Sequence, residues 1–325
     1  MQAAQMTRYG SPAVLQIGEV MAPTAGAKDV LISVHASAVT QGDRRLRAAD
    51  FPGLAWLPGR LMFGVLGPRY PIPGSTFAGR VAAVGAEVTR FSVGDDVMGE
   101  CLHGAYAEQL AMPATGALAP MPSGLSHVEA ATLPYGMHSA YHFLYRTALL
   151  QAGERLVIIG AAGGVGRYGV QLAVHIGAHV TAICSARDQE FVATLGAHAL
   201  LAPSELASGW KGPPVDVVLD TSGTARFEQW RAHLSSRGRF VTSDMSANVL
   251  WHMLRTARKE GPSAAMGMAQ SSAESLQEVA TQVEAGALRP IVAKTFPLTA
   301  LADAHTYLEQ ERPKGDVVVQ IASAP

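Results

Sequence analysis

Apolar positions along the chain change their rhythm near its middle. In the first hundred residues they fall in short β-rich runs closed by turn residues. The run at 30–34 is Val-Leu-Ile-Ser-Val; that at 77–84 lies between Pro73-Gly74 and Gly85; 93–99 reads as a turn entering a strand. No helical alternation separates them, so this region predicts a small β-barrel-like unit. Residues 48–71 carry Pro52, Pro58, Pro68 and Pro71 among aromatics and predict an irregular lobe lining a cleft.

From residue 155 the pattern becomes longer and alternates between two kinds of segment. Residues 155–159, Arg-Leu-Val-Ile-Ile, form the wholly apolar run that a buried parallel strand requires. Val170, Leu172, Ala173, Val174 and Ile176 then recur at helical spacing, with a stop at Gly177. Strands follow at 179–184, 215–220 and 238–242, with helices at 190–195 and 227–234. This βαβ alternation predicts a doubly wound sheet. A helix at 272–285, a short strand ending at Phe296, a helix at 301–309 and a strand at 317–321 complete the chain. Residues 251–259, locally basic through His252, Arg255, Arg258 and Lys259, read as a solvated helix or loop face, with a lid as the alternative. Residues 261–268 read as an adaptable wall or an edge strand.

Composition narrows the function classes. A chain of 325 residues predicts two domains, or one large one. With 25 Lys+Arg against 26 Asp+Glu, the net charge of −1 offers no basic excess to neutralise phosphates, so a nucleic-acid partner is not expected. No run approaches the roughly 18 apolar residues that predict a membrane span. The N-terminal residues lack the cationic flank and apolar stretch of a signal peptide. Cys101 and Cys184 are the only cysteines, too few for a disulfide framework or a four-cysteine zinc lobe. A cytoplasmic protein is the expectation.

The chemistry concentrates where the 155–159 strand ends, in Gly160-Ala161-Ala162-Gly163-Gly164-Val165-Gly166. A strand, a glycine turn, a helix and a strand form the context of a dinucleotide site. Gly163 and Gly164 let the backbone approach a pyrophosphate, Gly166 lets the helix pack on the strand, and the helix N-terminus faces the anion. Ala161 stands where the first glycine of G-x-G-x-x-G is expected. About 20 residues on, where an NAD site places an acidic residue, the chain has Cys184-Ser185-Ala186-Arg187. A hydroxyl and a guanidinium there suit a 2′-phosphate and favour NADPH; the alternative for Arg187 is a solvated residue at a helix start.

The motifs Pro73-Gly74-Ser75-Thr76-Phe77-Ala78-Gly79-Arg80-Val81, Phe91-Ser92-Val93-Gly94-Asp95-Asp96-Val97 and Gly104-Ala105-Tyr106-Ala107-Glu108 occur in this order. They are followed by Ala130-Ala131-Thr132-Leu133-Pro134-Tyr135-Gly136, the glycine turn, Gly286-Ala287-Leu288-Arg289-Pro290 and Lys314-Gly315-Asp316-Val317-Val318. The series resembles the zinc-independent quinone oxidoreductases of the medium-chain dehydrogenase/reductase superfamily, over essentially the whole chain. The resemblance implies an α/β protein in which a GroES-like β-barrel-type catalytic domain (residues 1–120 and 271–325) is interrupted by a Rossmann domain (residues 121–270). It implies NADPH in the cleft between them, a homodimer, and coenzyme contacts at Ser139, Ala162, Gly163, Gly164, Val165, Gly166, Ser185, Arg187 and Ser222.

Zinc alcohol dehydrogenases of the superfamily resemble the same scaffold but place a cysteine just before the Gly42-Asp43 position and His-Glu after the Gly74 position. Here stand Val39-Thr40-Gln41-Gly42-Asp43 and Gly74-Ser75-Thr76, and Cys101 with His103 falls short of a ligand set. No metal site is expected. The chemistry left is hydride transfer from NADPH to a small carbonyl or quinone substrate, either a quinone or the β-carbon of an α,β-unsaturated carbonyl. By the resemblance Thr40 and Asp43 lie beside the nicotinamide. Tyr135, His138 or solvent supplies the hydrogen bond or proton to the substrate oxygen. The alternatives are an enoyl or polyketide-type double-bond reductase with a dedicated substrate, and an NADPH-binding sensor or scaffold with little turnover.

Overall fold

The computed structural model describes residues 1–321 except Arg258 and Met268. In chain order its main elements begin with β1 (Gln2–Gln5), β2 (Gln16–Glu19), β3 (Asp29–Val39), α1 (Gln41–Ala48) and α2 (Trp56–Phe63). Next come β4 (Thr76–Val84), β5 (Asp96–Glu100), β6 (Gln109–Pro113), β7 (Leu118–Pro120), α3 (His127–Ala130) and α4 (His138–Tyr141). The middle holds β8 (Arg155–Ile159), α5 (Gly166–Ile176), β9 (His179–Ile183), α6 (Gln189–Ala193), β10 (Ala199–Leu201), β11 (Val215–Asp220), α7 (Phe227–Trp230), β12 (Leu234–Thr242), α8 (Ala247–Thr256) and β13 (Ser263–Met266). The chain ends with α9 (Ala273–Glu284), β14 (Val292–Pro297), α10 (Leu301–Glu311) and β15 (Asp316–Gln320).

These elements form two units. The first comprises Met1–Phe51, Trp56–His138 and the chain from Ser271 onward; the second comprises Pro52–Ala55 and Ser139–Gln270. Residues 121–138 thus pack with the first unit.

The first unit is GroES-like, built on a seven-stranded sheet of order β14-β15-β3-β4-β5-β7, with β6 also on β3. The long strand β3 organises it. Val30, Ile32 and Val34 alternate inward, as a half-buried strand requires, onto Phe77, Val81, Val97, Leu110 and Leu118. β15 returns antiparallel along the other half of β3, pairing Val317 with Val39. Its Val317 and Val319 join a second cluster with Met6, Tyr106, Leu298 and Leu301. The 48–71 lobe is less irregular than its prolines suggested: it contains α2, whose Leu57 and Leu61 are exposed.

The second unit is a Rossmann-type parallel sheet of order β10-β9-β8-β11-β12-β13. The chain steps outward from β8 in one direction to β10, then from β11 in the other direction to β13. The reversal therefore lies between β8 and β11, where open α/β sheets bind ligands at the carboxyl ends of their strands. Leu156, Val157 and Ile158 are fully buried, which explains the unbroken apolar run. Two local expectations change. Only Phe227–Trp230 of the expected 227–234 helix is helical, because Leu234 pairs with Val215 and opens β12. Phe227, Trp230 and Leu234 share one buried cluster regardless. Residues 263–266 form the edge strand β13, and the expected basic face at 251–259 falls partly on α8; Arg258 and Met268, within those two stretches, lie outside the described residues. No helix among the described residues is long and apolar enough to cross a membrane.

Candidate active site

In the second unit, the expected dinucleotide residues 162–166 form the turn at the end of β8. Gly160 leaves the strand with φ +80, and Gly163 N–H donates to its carbonyl at 2.9 Å, closing the turn. A side chain at Gly166 would put its Cβ 2.2 Å from the Gly160 oxygen, so this position brings α5 onto the turn. Around Gly164 no atom lies within 4 Å of where a Cβ would be, leaving backbone open to a ligand. Val165 brings no side-chain acceptor to cap α5, so the helix keeps the electropositive N-terminus that an anion seeks. Ala162 is half-buried on the same turn, whereas Ala161 is wholly buried. The conformational role sought at Ala161 belongs to Gly160, one residue earlier. A glycine directly at a strand end was the available signal.

Ser222 sits beside this turn: a Cβ on Gly160 would lie 3.1 Å from its Cβ. Buried Asp220, at the end of β11, organises that loop. It accepts from Ser222 N–H and Oγ–H at 3.0 and 2.7 Å, Gly223 N–H at 3.0 Å and Ala225 N–H at 3.0 Å. Ser185 and Arg187 follow β9 and are exposed. Both meet Asp188: Ser185 Oγ–H donates to Oδ2 at 2.5 Å, and Arg187 Nε lies 3.5 Å from Oδ1. This carboxylate, the first after β9, orients both groups. Ser139 opens the second unit, half-buried at the second position of α4.

In the first unit, Thr40 and Asp43 form the capping box of α1. Asp43 N–H donates to Thr40 Oγ1 at 3.0 Å, and Thr40 N–H and Oγ1–H donate to Asp43 Oδ2 at 2.9 and 2.6 Å. Both residues are buried. Burial pushes the Asp43 carboxyl up, chiefly by desolvation, while the hydrogen bonds from Thr40 oppose it. Gly42, between them, turns its backbone N–H toward the Tyr135 phenol oxygen, and a Cβ there would lie 3.4 Å from the ring. The Tyr135 hydroxyl is pushed up to about 12 by burial and then by the Asp43 charge, so it stays neutral and keeps a hydrogen to donate. Thr40, Asp43 and Tyr135 thus form one cluster.

His138 does not join them. Its ring, 2% exposed, sets Nδ1 3.0 Å from Ser271 Oγ and Nε2 2.9 Å from Ser275 Oγ, at the start of α9. Ser271 Oγ–H in turn donates to Glu100, whose carboxyl burial pushes up to about 7. Sequence reasoning missed Glu100 and Ser271, since nothing local marks either one. Leu133–Met137, which carries Tyr135, is a wide π turn closed by His138 N–H on the Leu133 carbonyl, an uncommon conformation that recurs at functional sites. A pocket of about 30 Å³ adjoins Asp43, walled by Tyr9, Phe63, Tyr70 and His103. Tyr70 and His103 stack at 4.0 Å, and burial pushes the His103 imidazole toward its neutral form.

Comparison with known proteins agrees with both halves. Residues 26–133 match the alcohol dehydrogenase GroES-like domain family and residues 190–319 the zinc-binding dehydrogenase family. Human (Homo sapiens) quinone oxidoreductase is 26% identical over 320 residues, covering 94% of this chain and 93% of its own length. The quinone oxidoreductase from Coxiella burnetii superposes with a TM-score of 0.85 at 26% identity, over 99% of both chains. CurK enoyl reductase superposes with a TM-score of 0.83 at 27% identity, again over 99% of both. Two matched families in order, a GroES-like unit and a Rossmann-type unit make this chain an oxidoreductase of the medium-chain dehydrogenase/reductase superfamily.

Proposed function

We propose that the protein is an NADPH-dependent, zinc-free reductase that passes hydride to quinones or α,β-unsaturated carbonyl compounds. The observation that carries this reading is the turn from Gly160 to Gly166. It has an open backbone at Gly164, a close approach at Gly166 and an uncapped helix behind it, which suits a pyrophosphate. When bound, the nicotinamide supplies a hydride, and the reduced substrate takes a proton as well. Tyr135, neutral and with its oxygen facing the Gly42 amide, is the protein group suited to hydrogen-bond a substrate oxygen as charge develops there. Ser185 and Arg187 suit a 2′-phosphate, with Asp188 holding both in place.

Zinc fits this site poorly. Where a metal-binding relative would need a thiolate, Thr40 has its hydroxyl committed to Asp43 in both directions. Ser75 and Thr76 are equally weak donors. The likeness to CurK enoyl reductase favours a second reading, reduction of a conjugated double bond in a dedicated biosynthetic substrate. Incubation with NADPH and a panel of quinones, enals and enones, followed by loss of nicotinamide absorbance, separates the two. Turnover of quinones supports the first reading, and turnover confined to enoyl compounds replaces it with the second. The reading also implies a cytoplasmic homodimer.

A further inference from the structure

A chain of polar side chains runs through the first unit behind Tyr135. Glu100 ends β5, Ser271 precedes α9, His138 opens α4 and Ser275 lies in the first turn of α9. Ser271 Oγ contacts Glu100 Oε2 and lies 3.0 Å from His138 Nδ1; His138 Nε2 lies 2.9 Å from Ser275 Oγ; Ser275 Oγ lies 3.1 Å from the Ser272 carbonyl.

Each serine has one hydrogen to give and a neutral imidazole has one N–H, so an ionised Glu100 fixes the direction of the whole chain; once Glu100 donates, the Ser271 hydrogen goes to His138 Nδ1 at 3.0 Å in preference to the Pro134 carbonyl at 3.4 Å. An ionised Glu100 only accepts. It takes the Ser271 hydrogen, Ser271 then accepts from His138 Nδ1–H, and Nε2 accepts from Ser275. A protonated Glu100 donates instead. Ser271 then donates to Nδ1, Nε2–H donates to Ser275, and Ser275 donates to the Ser272 carbonyl already within reach. One proton enters the chain, the Glu100–Ser271, Ser271–His138 and His138–Ser275 bonds reverse direction, Ser275 gains its bond to the Ser272 carbonyl, and the imidazole stays neutral while its hydrogen moves from Nδ1 to Nε2.

We propose that Glu100, acting through Ser271, sets the tautomer of His138 and thereby positions the wide turn that carries Tyr135 and leads into Ser139. His138 closes that turn through its own backbone N–H, so the ring that changes tautomer and the amide that closes the turn belong to one residue. Burial pushes Glu100 up to about 7, which brings the switch into the neutral range. The groups facing Glu100 are Asp43 from α1, Tyr135 from the wide turn, its chain neighbour Cys101, and Ser271. The Asp43 charge adds to the upward push. Glu100, Ser271 and His138 are positioning residues, and the tautomer exchange does not depend on the identity of the acceptor.

The test is nitrogen NMR of the full-length protein labelled with ¹⁵N-histidine, with the His138 signals assigned by their loss in His138→Gln. As the pH falls through about 7, the wild-type signals are expected to change from the Nδ1–H to the Nε2–H pattern. Glu100→Gln and Ser271→Ala should each abolish the exchange. A constant tautomer across that range, conversion to the doubly protonated imidazolium, or an exchange that survives in Glu100→Gln overturns the proposal. The positioning role is read separately, from kcat and KM with NADPH and an accepted quinone or enone. In the wild type a kcat transition should accompany the exchange, with KM little changed, and be absent in Glu100→Gln. A wild-type kcat that is flat across the exchange overturns that role.

Discussion

Asp43 and Glu100 illustrate what a buried carboxylate costs at the scale of single residues. Asp43 offsets its burial with hydrogen bonds led by those of Thr40, whereas Glu100 relies mainly on Ser271. The sign of the Glu100 effect is fixed. Its carboxyl stands at about 7 in the folded chain against 4.5 when exposed, so the folded state binds the extra proton between those values. Stability therefore falls as the pH rises from about 4.5 to about 7 and stays lowered above that. Glu100→Gln should unfold at a higher temperature than the wild type at pH about 8. The gain is on the order of 1–3 kcal/mol, and it should shrink toward zero near pH 4.5. A gain that grows on acidification would contradict this assignment. At the coenzyme end, Arg187→Ala should weaken NADPH at least about tenfold while barely changing NADH, the scale of one lost charge-assisted bond. Dissociation constants from fluorescence titration of both coenzymes check it, and equal losses would reject the 2′-phosphate assignment.

At the scale of elements, the glycine turn separates two jobs that its sequence pattern blends. Gly164 faces open space, so Gly164→Ala should leave the unfolding temperature almost unchanged while weakening coenzyme binding. Gly166 has no such room. Gly166→Ala must push α5 off the turn and should lower both stability, by about 1–3 kcal/mol, and binding. Paired thermal melts and coenzyme titrations test the contrast, and a destabilised Gly164→Ala would overturn it. This turn was legible because its signals are local: a buried apolar strand, a turn with four glycines and a helical period within some twenty residues. The conformational role sought at Ala161 falls one residue earlier, on Gly160 at the strand end, whose positive φ only the fold displays. The capping box at Thr40 and Asp43 is also local, and its spacing was there to be read. By contrast, the hydrogen bonds joining His138 to Ser271 and Ser271 to Glu100 span 133 and 171 residues. No pattern of period or spacing encodes contacts made by tertiary folding. The truncated helix at Phe227–Trp230 has the same cause, since strand pairing with β11 overrode a helical period.

For the whole molecule, the shift from short strands to βαβ alternation announced two kinds of unit, and both are present. The chain leaves the first unit after His138 and returns at Ser271, so the residues on either side of the second unit are hydrogen-bonded to each other. Net charge and cysteine count shaped expectations about partners and metals, but they say nothing about the reaction. In the proposed reading, that depends on the glycine turn in one unit and the Thr40, Asp43 and Tyr135 cluster in the other. The central claim, a coenzyme-driven reduction without a metal, is tested most directly by NADPH oxidation with chelator-treated protein across quinone and enone acceptors. The account predicts turnover of at least one acceptor at a rate unchanged by chelation. An absence of turnover despite tight NADPH binding, or activity lost on chelation and restored by zinc, would contradict it.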